Sequence, residues 1–382
     1  METAQRKQVI VFSTAYLPLK GGAEIAVYET TRRLTSLDFI VLTARFSRKL
    51  PKYEVKGNVR VIRLGGGFGV DKFFLPILTF IEGWKLLRKE PKDSLLWGVM
   101  ISYAAIGAYF LKLVCRRIPF LLTLQEGDSE VHIKRGRLGI IGIAWKAVLN
   151  KANEVQAIST YLGFLATSYG FRKEVHVIPN GVDCEQFSRE VSEKEKRFIK
   201  KELEIVAGKK VIISVSRLVT KNGIGDIIEA MKLLSDHVLL LVGEGALRKS
   251  LEEKSRELKV RDKVIFAGSV HHEKLPLYLG IADVFVRPSL SEGLGNAFLE
   301  AMAAGIPVVA TPVGGIRDFV EHEETGIFVS VHSPAEIAKA VMLLDSNKNM
   351  RKKITTAARK LIKEKYDWND VAKGMQHVFD KL

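Results

Sequence analysis

Two glutamates, Glu292 and Glu300, stand eight positions apart in a glycine-rich turn that leads into a helical pattern. At a rise of about 1.5 Å per helical residue, the two carboxylates can serve the two ends of one extended ligand. Between them, where a helix N-terminus favours anions, lie the amides of Gly293, Leu294, Gly295 and Asn296. Carboxylates accept hydrogen bonds from sugar hydroxyls, and amides donate to phosphate. The pattern predicts a nucleotide sugar as ligand, although the same residues also fit a plain turn and helix cap.

Two cations, Arg217 and Lys221, lie about one helical turn apart after the apolar run 211–215. An arginine can bind a diphosphate through two parallel hydrogen bonds, and a lysine adds a point charge. Two solvated surface cations explain most pairs of this kind. They explain this pair less readily, because ligands of parallel sheets bind at the carboxyl ends of the strands.

Glycines follow two more apolar runs, Gly21 and Gly22 in the first half of the chain and Gly243 in the second. Glycine lets a backbone approach an anion closely. The turn at Gly21 and Gly22 has the spacing of neither a dinucleotide-binding fingerprint nor a P-loop, so it predicts no particular cofactor. A permissive turn explains these two glycines equally well, and Gly243 alone is weak evidence for a ligand site.

The loop after the run 264–266 contains Val270, and backbone groups there could read the edge of a nucleobase. The next residues, His271 and His272, are interpreted as exposed loop residues and not as metal ligands. The chain also lacks the nucleophile elbow of many hydrolases and the His-Glu-x-x-His motif of zinc enzymes. These absences weaken hydrolase and metalloenzyme interpretations.

Polar residues also follow the run 120–124, where Gln125 is followed by Glu126 and Asp128. At the carboxyl end of a strand such side chains could contact the acceptor or the donor sugar. A structural turn is an equally good interpretation of this stretch alone.

Short apolar runs alternate with helical patterns along the whole chain, which predicts parallel sheets covered on both faces. This alternation of strands and helices occurs twice along the chain, so we expect two doubly wound α/β domains with the ligand in the cleft between them. The boundary is placed near 179–183, before a charged segment that is interpreted as a surface helix. Asn369 and Asp370 are interpreted as caps of a last helix. The predicted strands are 9–13, 39–43, 59–64, 95–100, 120–124, 155–158, 175–178, 211–215, 238–242, 264–267, 284–286, 308–310 and 326–329.

The composition and net charge of the chain limit the classes of molecule that it is expected to bind. The chain has 382 residues and a net charge of +16, which favours anionic partners such as phosphorylated ligands and anionic lipid. No long run of basic residues interleaved with aromatics supports specific nucleic-acid binding. Cys115 and Cys184 fit a reduced cytosolic protein, and no secretory signal is seen. The apolar stretch 95–114 is interpreted as strand, turn and buried helix rather than a membrane span.

Taken together, these segments resemble the retaining glycosyltransferases of family 4, which have the two-domain GT-B architecture. The family's Glu-x7-Glu motif matches Glu292 to Glu300, and the match continues through Gly305-Ile306-Pro307 and Pro312-Val313-Gly314-Gly315. The resemblance implies two doubly wound Rossmann-like domains facing a cleft. It places an acceptor-side domain at 1–184, a nucleotide-sugar domain at 185–365, and a C-terminal helix at 366–382 that crosses back to the first domain.

The resemblance also implies an activity: metal-independent transfer of a hexosyl group from a nucleoside-diphosphate sugar to an acceptor hydroxyl, with retained configuration and no cofactor. Glu300 would bind the ribose hydroxyls and Glu292 the donor sugar. Arg217 and Lys221 would neutralise the leaving diphosphate. Phosphate and sugar would be held by Gly22 and by the amides of Leu294, Gly295 and Asn296.

Two departures from the family pattern concern the site. The family usually has a lysine five residues after the arginine, whereas Lys221 comes four after Arg217 and Asn222 takes the usual place. The family commonly has a histidine where this chain has Gln125. Glutamine is neither an acid nor a base near neutral pH, so the leaving diphosphate is expected to accept the acceptor's proton.

The leading hypothesis is therefore a cytoplasmic glycosyltransferase of envelope polysaccharide or glycolipid synthesis, acting on a saccharide or lipid-linked acceptor. The charge and the apolar stretch 73–80 suggest peripheral contact with anionic membrane, although a core helix explains that stretch equally well. A nucleotide-sugar epimerase of the same architecture and a non-enzymatic polyanion-binding protein are the alternatives. The sequence leaves the donor, the acceptor and the oligomeric state open.

Overall fold

The computed structural model describes residues 6–19, 21–89, 93–128, 130–135 and 140–382. The chain divides into two compact units. Unit 1 comprises Met1–Asn180 and Trp368–Leu382, and unit 2 comprises Gly181–Asp367. The first division, after Asn180, falls within the segment 179–183 near which the sequence places the boundary. The resemblance places the boundaries after residues 184 and 365, whereas the units divide after Asn180 and Asp367.

Strands and helices alternate along both units. The strands are β1 (Gln8–Phe12), β2 (Asp38–Ala44), β3 (Tyr53–Lys56), β4 (Val59–Leu64), β5 (Ser94–Val99), β6 (Phe120–Leu124), β7 (Glu154–Ala157), β8 (Val175–Val177), β9 (Lys210–Val215), β10 (His237–Val242), β11 (Val264–Gly268), β12 (Val284–Arg287), β13 (Val308–Ala310) and β14 (Ile327–Phe328). The helices are α1 (Gly22–Arg33), α2 (Leu75–Lys89), α3 (Tyr103–Val114), α4 (Glu130–Arg135), α5 (Ile140–Leu149), α6 (Thr160–Ser168), α7 (Cys184–Ser188), α8 (Glu193–Glu202), α9 (Ile224–Ala230), α10 (Arg248–Glu257), α11 (Leu275–Leu279), α12 (Asn296–Ala303), α13 (Pro334–Ser346), α14 (Lys348–Lys365) and α15 (Trp368–Asp380).

Unit 1 is built on an eight-stranded sheet in the order β3-β4-β2-β1-β5-β6-β7-β8. Its pairings are parallel except that of β3 with β4. The central strands β1 and β5 are buried along their whole length, because apolar residues occupy both faces of a sheet that is covered by helices on both sides. The sequence misses β3, whose four residues are all exposed and therefore show no apolar run.

The C-terminal helix α15 packs on unit 1. The Phe379 ring lies 5.2 Å from the ring of Trp97 on β5, centroid to centroid, and 6.1 Å from that of Phe39 on β2. This confirms the predicted return of the last helix to the first domain. The helix begins at Trp368, so Asn369 and Asp370 lie in its first turn, and their interpretation as caps is wrong.

Unit 2 is built on a six-stranded parallel sheet in the order β11-β10-β9-β12-β13-β14. Its core joins apolar side chains of the strands to those of α9, α10, α13 and α14. Two Rossmann-like units with helices between parallel strands confirm the predicted fold class. The charged segment after residue 189 forms α8, which begins with a capping box in which Ser192 and Glu195 each accept the other's backbone N–H.

The apolar stretch 95–114 forms most of β5, a short turn and α3, as the sequence predicts. None of the helices in the described ranges combines the length and the apolar composition needed to span a bilayer.

Candidate active site

The predicted donor-site residues of unit 2 lie at one edge of its sheet. Loops leave the carboxyl ends of four adjacent strands, β11, β10, β9 and β12. These loops or the helices after them carry, in the same order, Val270, Gly243, the Arg217–Lys221 pair and the Glu292–Glu300 pair. Parallel strands end at the same edge, so the topology brings all these residues together.

Glu292 is paired with Arg287, the last residue of β12. The Arg287 guanidinium donates to the Glu292 carboxylate, and its Nε donates to the Ser289 hydroxyl at 3.2 Å. Its Nη1 donates to the carbonyl of Val215 at 3.3 Å, and the group lies over the Phe298 ring. Burial lowers the pKa of Arg287, opposed by the charges of Glu292 and Glu300, which raise it. The internal contacts occupy this arginine and fix the Glu292 carboxylate beside the sheet edge.

Arg287 was not predicted as a site residue. It is 5% exposed, and an arginine is rarely buried this deeply unless it has a charged partner, which here is Glu292. The one signal in the sequence is a basic residue at the end of a short apolar run, with two carboxylates downstream.

The glycine-rich turn is shaped by close backbone approaches. Gly295 precedes α12 with φ +96°, and a Cβ there would lie 2.7 Å from Nη2 of Arg287. Gly314 has φ +53°, and a Cβ there would lie 1.8 Å from the carbonyl oxygen of Glu292. The amide of Gly293 donates to Glu292 Oε1 at 3.1 Å. Of the four amides that the sequence predicts as anion donors, this one is therefore engaged within the turn. Leu294 is buried at 1% exposure.

Glu300, on α12, is 9% exposed, and its Oε1 lies 2.8 Å from Nε2 of His272. The His272 ring also meets the ring of Phe187 at a centroid distance of 5.3 Å. The interpretation of His272 as an exposed loop residue is wrong, since its side chain is 27% exposed and paired, whereas His271 is exposed. Sequence spacing could not reveal the contact, because 28 residues separate the partners.

The cationic loop after β9 is held by Asn222. Its Nδ2 donates to the carbonyl of Arg217 at 2.6 Å, and the residue is 5% exposed. Asn222 therefore supports the loop, while Arg217 is exposed and Lys221 is half-buried. The Leu290 amide donates to the Lys221 carbonyl at 2.7 Å, which joins this loop to the one after β12.

Gly243 allows the loops after β10 and β9 to approach each other. Its φ is +133°, and a Cβ there would lie 2.0 Å from the carbonyl oxygen of Ser216. Its amide donates to the carbonyl of Gly268, at the end of β11, at 2.7 Å. Val270, two residues further along that loop, is half-buried.

In unit 1, Gly21 is the N-cap residue of α1, and Gly22 is the first residue of that helix. A Cβ on Gly21 would lie 2.4 Å from Oε2 of Glu24, a flexible side chain. The first-half glycine turn thus meets a helix N-terminus, as the sequence predicts.

Gln125 follows β6, and its Oε1 accepts a hydrogen bond from Nδ2 of the buried Asn180 at 3.1 Å. This contact leaves the amide nitrogen of Gln125 as the group that can donate to a ligand. Glu126, the next residue, accepts from the amides of Ile101 at 2.6 Å and Gln125 at 2.9 Å. Burial raises the pKa of Glu126 from 4.5 to about 7. Glu126 thereby joins the loops after β5 and β6 and sets the Gln125 backbone.

Within the described ranges, no three or more His, Cys, Asp and Glu side chains lie together so that they could hold a metal ion.

Family models match both halves of the chain. Residues 20–186 match the family described as Glycosyltransferase Family 4. Residues 195–361 match the family described as Glycosyl transferases group 1. Together the two matches span most of the chain.

Two relatives are similar over part of the chain. An uncharacterised glycosyltransferase of Methanocaldococcus jannaschii is 38% identical over 209 residues, 54% of this chain and 54% of that protein. A GDP-mannose-dependent alpha-(1-6)-phosphatidylinositol monomannoside mannosyltransferase of Mycobacterium tuberculosis is 29% identical over 263 residues, 65% of each protein. The chain thus spans between about half and two thirds of the length of these relatives.

Solved structures share the fold. Sucrose-phosphate synthase of Thermosynechococcus elongatus has a TM-score of 0.84 at 21% identity, over 99% of both chains. Anabaena HepE in complex with UDP and glucose has a TM-score of 0.81 at 20% identity, over 99% of this chain and 100% of that one. These likenesses confirm the GT-B type of fold.

Proposed function

From the premise that this chain belongs to the group 1 and family 4 glycosyltransferases, we propose that it transfers a hexosyl group from a nucleoside-diphosphate sugar to an acceptor hydroxyl with retained configuration. One observation carries the proposal. Four adjacent strand ends of unit 2 gather two acids, a cationic loop and glycine turns at one sheet edge. Such a set can bind hydroxyls, a diphosphate and a sugar at the same time.

In the proposed complex, Glu300 accepts hydrogen bonds from the ribose hydroxyls and Glu292 from the donor sugar. Arg217 and Lys221 face the diphosphate, since Asn222 is turned inward to the carbonyl of Arg217. Backbone amides of the glycine turn before α12 add partial positive charge. These groups can stabilise the leaving diphosphate, so the proposal requires neither a metal nor a cofactor.

The proposed reaction uses no side-chain base. The acceptor oxygen bonds to the anomeric carbon, the bond from that carbon to the diphosphate breaks, and a diphosphate oxygen takes the acceptor's proton. Gln125 donates from its amide nitrogen to a sugar hydroxyl, because its oxygen is engaged by Asn180. A glutamine can orient a substrate in this way without changing its charge.

A panel of UDP-, GDP- and ADP-sugars tests the donor site by thermal shift. A ligand that binds only the folded state raises the melting temperature by mass action. At least one of these sugars should stabilise the wild-type protein, and Glu300→Ala should abolish most of the shift. No shift with any member, or an equal shift in the variant, would contradict the proposal.

The solved structure of Anabaena HepE contains UDP and glucose, and the mycobacterial relative is named for GDP-mannose. Both support a nucleoside-diphosphate sugar as donor. Which nucleobase the donor carries is the question that the thermal-shift panel answers. A polyanion-binding protein would behave differently. Its affinity would survive Glu300→Ala and fall steeply with salt.

We further propose peripheral docking on the cytoplasmic face of an anionic membrane, where a lipid-linked or envelope saccharide is the acceptor. The docking surface consists of exposed apolar side chains of α2 and the turn before it. They are Val70, Phe73, Phe74, Ile77 and Ile81, each at least 43% exposed. The opposite face of α2 buries Leu75, Thr79 and Gly83, so this helix has both a core face and an apolar outer face.

Charge complementarity favours an anionic surface. Lys85, Arg88 and Lys89 are exposed on the same helix. Flotation with anionic liposomes should recover the wild-type protein and lose Phe74→Ser/Ile77→Ser. Val55→Ser, at an apolar residue that is 72% exposed elsewhere in unit 1, is the control. Equal flotation of both variants, or indifference to lipid charge, would remove the membrane proposal.

A further inference from the structure

We propose that His272 is a positioning residue that holds Glu300 for the ribose and thereby couples nucleobase recognition to ribose recognition. This inference rests on the proposed nucleotide-sugar site. His272, which lies outside the motif of Glu292 and Glu300, would then contribute to specificity for the nucleoside.

The hydrogen bond to His272 engages one oxygen of the Glu300 carboxylate. Nε2 of His272 lies 2.8 Å from Oε1, and among the described residues Oε2 has no hydrogen-bond partner. The Glu300 side chain keeps 11% of its surface exposed, so it is not sealed from a ligand. With one oxygen fixed, the carboxylate cannot rotate freely, and its second oxygen is preorganised for a hydroxyl.

The His272 ring is itself fixed by packing. It contacts the ring of Phe187 at 5.3 Å with an interplanar angle of 60°, and Phe187 is 2% exposed. Phe187 belongs to α7, which packs against α12, the helix that carries Glu300. The two neighbours of His272, Glu300 on α12 and Phe187 on α7, therefore belong to helices that pack against each other.

The loop that precedes His272 is held at both ends. Gly268, at its start, accepts a hydrogen bond from the amide of Gly243 at 2.7 Å, and His272, at its end, bonds to Glu300. Only residues 269–271 lie between these anchors, and they include Val270. A short loop fixed at both ends presents its backbone groups in one arrangement, which suits recognition of a base edge.

The binding assay uses nucleoside diphosphates with and without ribose hydroxyls. The probes are UDP, GDP and ADP and the 2′-deoxy and 3′-deoxy forms of whichever binds best. If Glu300 reads the hydroxyls, the wild type should prefer the ribose form over at least one deoxy form by about tenfold. His272→Phe keeps a ring against Phe187 but cannot donate. It should lose most of this preference, while affinity for the discriminated deoxy form changes by less than about twofold.

Two variants separate positioning from general damage. His272→Gln retains a donor of similar reach and should recover most of the preference. His272→Asn is too short to reach Glu300 and should behave like His272→Phe, which keeps the test available if the phenylalanine variant does not fold. The matched control is His176→Phe, which removes a histidine–glutamate contact of the same 2.8 Å length in unit 1 and should leave binding unchanged.

The outcomes distinguish this inference from the proposed function. If the wild type shows no preference for ribose, or Glu300→Ala keeps it, the proposed ribose site itself fails and the inference falls with it. If Glu300→Ala loses the preference but both His272→Phe and His272→Asn retain it, the inference alone is overturned. Equal weakening of ribose and deoxyribose forms by the His272 variants would also overturn it, because that is the result of a purely structural role.

Discussion

Arg287 and Glu292 form an ion pair beside the glycine turn, and Arg287 is only 5% exposed. The acid that the family resemblance assigns to the donor sugar is therefore held by a cation of its own unit. A buried pair of this kind contributes little net stability while intact, but removal of one partner leaves an uncompensated buried charge.

Glu292→Met should accordingly destabilise the protein by about 3 kcal/mol, because Arg287 then keeps its charge without a partner. The measurement is the free energy of unfolding in urea. The double variant Arg287→Met/Glu292→Met should recover much of the loss, since it removes both charges. Additive losses in the double variant would mean that the two residues do not interact.

Arg217 is exposed at the end of β9, so its replacement should affect ligand binding more than folding. Arg217→Ala should weaken nucleoside diphosphate binding by about 1–2 kcal/mol and leave nucleoside binding unchanged. Calorimetry at two salt concentrations can measure this. Lys360→Ala, at an exposed lysine of α14, is the control. An equal loss with the diphosphate and the nucleoside would show that Arg217 does not face phosphate.

Gln125→Ala should lower kcat by about a hundredfold without weakening nucleotide binding, because in the proposed reaction the Gln125 amide donates to a sugar hydroxyl. Asn180→Ala should have a smaller effect, since it frees the Gln125 amide to rotate but leaves it in place. Steady-state kinetics with the donor found by thermal shift would measure both. Full turnover of Gln125→Ala would show that this residue takes no part.

The raised pKa of Glu126 predicts a pH-dependent stability. The folded state binds the proton more tightly than the unfolded state, since the pKa moves from 4.5 to about 7. The resulting stabilisation is fully present below pH 4.5 and is lost as the pH rises through about 7. Relative to Glu126→Gln, the wild type should therefore lose about 3 kcal/mol of unfolding free energy across this interval.

Chemical denaturation at several pH values tests this. Glu174→Gln, at an exposed glutamate of unit 1, should track the wild type throughout. A difference between wild type and Glu126→Gln that stays constant with pH would contradict the prediction.

Much of the fold could be predicted because buried parallel strands produce a local signal. The runs that became β6 and β13 match their structural bounds, since buried apolar side chains on both faces give an almost continuous run. The run that became β4 also matches its bounds, although Arg60 and Arg63 interrupt its apolar residues. The edge strand β3 gives no such signal, because all four of its residues are exposed and its pairing with β4 alone defines it.

The site is harder to predict from sequence, because most of its partners come together only in the fold. The two acids were found through their spacing, whereas the partner of Glu300, His272, lies 28 residues away and belongs to another loop. Asn180 and Gln125 are 55 residues apart. Arg287 is near in sequence to Glu292, but its burial depends on the packing of β9 and Phe298 around it.

The decisive measurement is turnover of the donor found by thermal shift, in the presence of a lipid extract. We expect release of nucleoside diphosphate that depends on the acceptor, with the sugar recovered on the acceptor in the donor's anomeric configuration by NMR. Glu292→Gln should abolish the transfer. An epimerised nucleotide sugar without transfer, an inverted anomer on the acceptor, or no turnover of any nucleotide sugar would contradict the proposed function.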